Sequence, residues 1–478
     1  MKVTLWLILS IMMATPTLSV PLLQLEESQH VLALPKSNPH ASLPAVNPTI
    51  SFWIDTPDAN PLGSEGSTGT LTQDADVCII GSGITGVSAA YNLAENSSLN
   101  VVILEARDFC SGATGRNGGH LTPSTFLGFS ASASEYGEEE AIRSLQLENY
   151  TAEAIVKIIH EEGLADAVDL VRGGHTTLFL TEKEREEAWR DYVEARAAGL
   201  ELGGVKWAST EDMQTKYGTS YPAVQFDGHN LWPLKFVTQL YRITKRRLSG
   251  GNLALHTRTP VTLVSSVSNS TRRWNVNTPR GSISCSYVVH ATNGYASHLL
   301  PHLAGPEGVV PTRGQVIAVR SSAKLAPGSW DGNEGFEYWF PRPRGEGLVI
   351  LGGGREASGP GFEYYETDDG SVNADVGKAL RGFLGGVFEG DNKEPEMEWT
   401  GIMGFTKTGN PFVGPVIDPS NLNAYEGQYI SAGYTGHGMP RAYACAEAIA
   451  TMILTNMSKK EWTRPEWLPK RYLNWSRA

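Results

Sequence analysis

Between Asp74 and Arg107 the apolar positions change period twice. "DVCII" ends in a continuous apolar run, the mark of a strand buried on both faces. After "GSGITG" the small and apolar residues of "VSAAYNLA" fall at helical spacing, which predicts a helix from Thr85 to about Asn96. "VVIL" is a second buried strand. Further on, "EEEAIRSLQLENYTAEAIVKIIHEEG" predicts a long amphipathic helix, "EKEREEAWRDYVEARAAG" a charged surface helix and "PLKFVTQLYRITKRRL" a third. "TTLFL" reads as a short strand and "WNVNTPRGSISCSYVVHATN" as a hairpin leading into a buried strand at Tyr287 to Ala291. "GFEYWFPRPRGEGLVILGGG" is two strands around a turn, and "PRAYACAEAIATMIL" a closing helix. Helices and strands alternate irregularly, with hairpins between them. The predicted class is α/β: a Rossmann-like nucleotide-binding layer with an interleaved mixed-sheet domain.

The two ends read differently from this body. Lys2 precedes the apolar run Val3 to Ala14, which is shorter than the roughly 20 residues needed to span a bilayer. Small residues in "TPTLS" follow it, so residues 1–19 are expected to be a signal peptide cut after Ser19. Residues 20–73 are rich in Pro, Ser, Asn and Gly and predict an extended leader, with Phe52 and Trp53 docking on the body. The body is placed at 74–454 and a tail at 455–478. A secretory route, with the protein secreted or held in a vesicle, gives weight to the sequons at Asn96, Asn149, Asn269, Asn456 and Asn474. Asn269, in an apparent turn between strands, is the best acceptor of the five.

Across 478 residues, 41% are hydrophobic and 19% charged, ordinary proportions for a large globular body. The net charge of -12 and the absence of a long basic run argue against nucleic acid as a partner. Cys78, Cys110, Cys285 and Cys445 have irregular spacing and are expected to be free thiols. No metal site is expected: His298 and His302 flank a proline that spoils a helical pair, and neither G-x-S-x-G nor H-E-x-x-H occurs.

Gly81, Gly83 and Gly86 form G-x-G-x-x-G between the first strand and its helix. Gly81 serves the tight turn, Gly83 the close approach of a pyrophosphate, and Gly86 the packing of helix on strand. The helix N-terminus brings N–H groups and partial positive charge to the phosphates. Glu105, nineteen residues after Gly86, stands where an acid would bond the ribose hydroxyls. A dinucleotide is therefore expected. "CSGATGRNGGH", Cys110 to His120, adds a second cluster of small residues around Arg116, Asn117 and Gly118. A flavin needs backbone N–H groups at its pyrophosphate and ring as well, which favours FAD over NAD. No second G-x-G-x-x-G is present for a separate NAD(P)H domain.

With "DVCIIGSGITGVSAAYNLA", "SGATGRNGGH", "LWPLKFVTQL", "YVVHATNGYA", "GIMGFTKTGNPFVGPV" and "GYTGHGMPRAYACAEAIA", the chain resembles the FAD-dependent oxidoreductases of the D-amino-acid oxidase type. That group includes glycine, sarcosine and gamma-glutamylputrescine oxidases. "SGATGRNGG" is similar to the gamma-glutamylputrescine oxidase branch, and the leader is compatible with a eukaryotic, fungal secretory member. The resemblance implies that Val261 meets the adenine and that Ala291 to Gly294 run along the ribose and pyrophosphate. It places Gly433, Gly436, His437, Gly438 and Met439 at the flavin ring. It also implies hydride removal from a C–H bond next to an amine, with oxygen as acceptor. In this reading Arg342 holds a substrate carboxylate, with Tyr338 and His120 beside it. FAD is expected to be bound non-covalently, His120 and Cys110 being the candidates for a link. Two alternatives stand beside this reading: a tailoring oxidase of secondary metabolism, carrying out dehydrogenation or oxidative ring closure, and a flavin-bound interaction protein without turnover.

Overall fold

The computed structural model describes residues 40–96, 98–267, 271–390 and 394–476. The expected signal peptide and the sequon at Asn269 lie outside these residues. The first strand, β1, is Asp74–Ile80, and β2 is Asn100–Leu104. Both are central in one sheet, whose parallel core is completed by Gly281–His290, Asn252–His256 and Gln428–Ala432. Phe412–Pro415 closes one edge antiparallel. The helix after the glycine turn spans Ile84–Leu93 and is buried throughout. Small side chains make that possible, because Ala89, Ala90 and Gly86 let it lie between the sheet and the helix Met439–Met457.

A second, eight-stranded sheet comes from two other stretches of chain. His175–Leu178 and Ala223–Phe226 form one side. Val310–Arg320, Glu337–Pro341, Leu348–Gly352 and Met397–Phe405 form the other. The long pair Val310–Arg320 and Met397–Phe405 carries no clean period-two pattern. Met403 and Arg313 are half-buried because the strands are covered unevenly, and sequence periodicity missed both strands and the helix Ala374–Val387. The chain passes between the two sheets four times, so the units are interleaved.

The segment before β1 is more structured than an extended leader. Phe52–Asp55 is a short helix capped by Ser51, and Trp53 is completely buried. The end of the chain is packed as well: Leu468, Tyr472 and Leu473 are buried. Asn474 is buried with them, and its Nδ2 donates to the Pro415 carbonyl. This overturns Asn474 as a glycan acceptor, because the nitrogen that would carry the sugar faces the interior. Asn149 is half-buried within the helix Glu138–Glu161, whereas Asn96 and Asn456 are exposed. All four cysteines are buried free thiols. Among the described residues no helix is long and apolar enough to cross a membrane.

Candidate active site

A cavity of about 1350 Å³ runs between the two sheets. At one end lies the glycine turn. Gly81 has φ +109°, and a side chain there would meet the Ala291 carbonyl at 2.5 Å. A Cβ on Gly86 would lie 1.9 Å from the Gly81 carbonyl, so this glycine packs the helix while Gly81 and Gly83 line the cavity. The helix begins at Gly83 with no side-chain cap, which leaves its first turn open to a phosphate. Glu105 ends β2 on the cavity wall and accepts from the Ser82 N–H and hydroxyl and from the Arg107 N–H. Val261 and Ala291 share this end, and Thr292 Oγ1 and His298 Nε2 find no partner among the described residues. Size, an acid at a strand end, a bare helix N-terminus and unpaired polar atoms together fit an adenine dinucleotide.

The loop from Cys110 to His120 forms the middle of the wall. Arg116 is buried under it and donates to the carbonyls of Ser111, Thr49 and Thr400. Burial lowers its pKa to about 10, and it remains a cation at neutral pH. Asn117 ties the loop to itself, accepting from the Gly119 N–H and donating to the Thr114 carbonyl. Gly118 has no room for a side chain, since a Cβ would reach the Tyr338 ring at 2.4 Å. Burial pushes the Cys110 thiol up, which disfavours a thiolate link to a flavin.

Gly436, His437, Gly438 and Met439 line the cavity where the helix Met439–Met457 begins, also without a side-chain cap. Gly433 stands behind them. Its φ of +82° makes the turn, and its N–H donates to Asn293 Oδ1. Tyr434 bonds Thr85 and Ser431, fastening this turn to the first helix. Glu148 receives His437, Arg441 and the Ser124 N–H. Burial alone would raise this carboxyl, but His437, Arg441 and the Ser124 N–H together hold it below the usual range.

His120, on a short strand paired with His229–Asn230, and Tyr338, on the second sheet, both line the cavity with rings 5.4 Å apart. Burial depresses His120 to about 4, and the nearby His175 adds to this, while burial pushes Tyr338 up to about 12. Both are neutral at physiological pH. Beside them is a pair that the sequence did not reveal. Asp331 lies opposite Tyr338 across the strand pair, and His175 Nε2 stands 3.3 Å from its carboxylate. Burial would raise Asp331, but His175 outweighs it and keeps the group ionised. No local motif joins residues so far apart in sequence; only the parallel pairing of their strands does.

Arg342 is not at this site. It lies outside the cavity with its guanidinium paired to Asp169 at 2.7 Å, 4% exposed. Phe52, Trp53, Trp232 and Phe340 surround it at 5.1 to 5.7 Å. The cavity-lining arginine nearest in sequence to this hairpin is Arg355, which acts on Tyr338 and lies buried over the Phe405 ring, donating to the Phe362 carbonyl.

The sequence profile of the FAD dependent oxidoreductase family matches residues 76–452. The chain belongs to that family. It is similar to a probable oxidoreductase, OrdL, of Rhizobium meliloti, 25% identical over 80% of this chain and 84% of that one. It is 27% identical to the gamma-glutamylputrescine oxidoreductase of Escherichia coli over 79% and 83% of the two chains. Among solved structures it resembles glycine oxidase from Geobacillus kaustophilus, with a TM-score of 0.64 and 20% identity over 84% of this chain and 98% of that one. The family is one of FAD-dependent enzymes, so this flavin oxidoreductase is catalytic rather than an inert binding module.

Two outcomes follow from the geometry. Arg342→Ala should lower stability by about 1.5–3 kcal/mol, because Asp169 loses its shortest and most buried hydrogen bond while Lys235 and Arg344 still face it. Urea denaturation measures this, and flavin content per folded molecule should be unchanged. The second concerns pH. His120 and His290 are both depressed to about 4 by burial, against 6.5 in the unfolded chain. Between these values the unfolded chain binds more protons than the folded one. Stability therefore rises with pH through this window and is lost as pH falls toward 4. His120→Asn should flatten that dependence; an unchanged slope would refute the neutral assignment.

Proposed function

We propose that the enzyme oxidises a small molecule at the C–H bond next to an amine, with oxygen as the final acceptor and hydrogen peroxide as product. FAD, when bound, supplies the acceptor for the hydride. The observation that carries the amine is Asp331: an ionised carboxylate on the cavity wall, flanked by neutral His120 and Tyr338. Such a carboxylate receives the N–H groups of an amine and fixes which C–H bond faces the ring. The aromatic wall excludes water and adds no charge of its own. Relatives named for gamma-glutamylputrescine and glycine support an amine or amino acid as substrate. The carboxylate role once expected of Arg342 passes in this reading to Arg355.

A second reading draws on the cavity's length. Beyond the aromatic wall it continues past Leu127, Phe129 and Phe179. That room suits a bulky metabolite and keeps a tailoring oxidation within the same chemistry. The leader belongs to this proposal too: a secretory protein, fungal in origin, processed after Ser19, glycosylated at Asn269 and holding its FAD without a covalent bond.

Asp331→Asn should raise KM for an amine substrate roughly ten-fold or more, as a charge-assisted hydrogen bond becomes a neutral one. The measurement is anaerobic flavin bleaching across a panel of amines, amino acids and neutral alcohols. Bleaching by alcohols alone, or an unchanged KM in the variant, would overturn the amine reading.

A further inference from the structure

The cofactor cavity has one wall that the family match does not contain. Ser42, Leu43 and Pro44 line it, yet the family profile begins at residue 76. We infer that residues 41–53 form a strap that completes the FAD site over its ribose end and sets the rate at which FAD leaves. This inference rests on the dinucleotide assignment of the cavity.

The strap is bonded along its length to the parts of the protein that would touch the cofactor. Ala41 donates its N–H to Ser297 Oγ, and Ser42 Oγ bonds Thr367. Arg107, next to the ribose acid Glu105, donates to the Ala45 carbonyl. Thr49 accepts Arg116 on its carbonyl, and its own N–H goes to the Asp369 carbonyl. Ser51 Oγ donates to the Gly115 carbonyl within the flavin loop. Trp53 Nε1 donates to the Asn117 carbonyl, and the Trp53 carbonyl accepts from Trp232. Ile54 packs so closely that a Cβ on Gly115 would meet it at 2.9 Å.

The geometry gives the strap two effects. Leu43 and Pro44 cover the end of the cavity at which Glu105, Arg107 and Tyr295 stand, so a bound adenosine half would be enclosed there. The bonds from Thr49, Ser51 and Trp53 also hold the flavin loop in place. Release of FAD then requires the strap to lift, and binding to an apoprotein requires it to be open or to open.

The experiment compares FAD release from the loaded wild type with two variants moving in opposite directions. Thr49→Ala with Ser51→Ala removes side-chain hydrogen bonds from the strap and leaves every residue of the family-matched span intact. Flavin fluorescence after dilution should recover roughly ten-fold faster or more, the effect of losing one or two net hydrogen bonds. Ala41→Cys with Ser297→Cys tethers the strap end to its dock. Oxidation of this pair should slow release, and a reductant should restore the wild-type rate. Chymotrypsin should cut the strap after Phe52 or Trp53 faster in apoprotein than in the FAD-loaded form. Equal release rates in the wild type, the loosened variant and the oxidised tether would overturn the strap inference. A wild type that purifies without flavin and takes up none would overturn the cofactor assignment beneath it.

Discussion

Asp369 is completely buried between two arginines, and the cofactor cavity depends on that arrangement. Arg107 grips its carboxylate with two hydrogen bonds of 2.8 and 2.9 Å, and Arg116 stands 3.6 Å away. Taking three charges out of water is costly, and their mutual attraction does not by itself stabilise the fold relative to apolar packing. What the cluster supplies is position. Arg107 follows β2 and donates its backbone N–H to Glu105. Arg116 belongs to the flavin loop. The Asp369 carbonyl receives Thr49 from the strap and Thr400 from the second sheet. Three distant stretches of chain, the strap, the segment from Arg107 to Arg116 and the strand at Thr400, thus converge on one residue, and each carries part of the cavity wall.

That convergence explains which parts were legible in the sequence. The β1–turn–helix–β2 unit is contiguous, and its glycines answer to local constraints: a positive φ at Gly81, a forbidden Cβ at Gly86. Such features leave a readable trace. The Asp369 cluster and the His175–Asp331 pair leave none, because each joins segments that meet only through sheet pairing. The helix Phe52–Asp55 was hidden for a related reason. Its single turn is too short for any period, and its stability comes from Trp53 entering the core.

Arg342 shows how a correct element can still mislead. The hairpin is present, and Tyr338 lines the cavity as expected. Strand residues two apart share a face, so Tyr338 and Phe340 point the same way and Arg342 follows them beyond the strand's end. Each such pair also advances about 6.6 Å along the strand. Tyr338 meets His120, the Phe340 ring lies between His120 and Trp53, and Arg342 is already among Trp53, Trp232 and Asp169. Resemblance identified the face and missed the distance travelled along it.

The same distribution of charge shapes the reacting end of the cavity. Strong cations near the flavin loop are committed: Arg116 to carbonyls and Asp369, Arg441 to Glu148, Arg342 to Asp169. The surfaces between them are a neutral imidazole and a neutral phenol. In a site of low dielectric an isolated charge would dominate the energy of any step that moves negative charge toward the ring. Pairing the structural charges elsewhere leaves the helix N-terminus at Met439 and the Asp331 carboxylate as opposed features of that end. One favours negative charge on the acceptor side, and the other favours positive charge on the substrate nitrogen. Hydride transfer from an amine develops charge in that sense, with the electron pair leaving the carbon beside nitrogen. The buried ion pairs that hold the cavity open thus also keep its centre free to respond to the reaction.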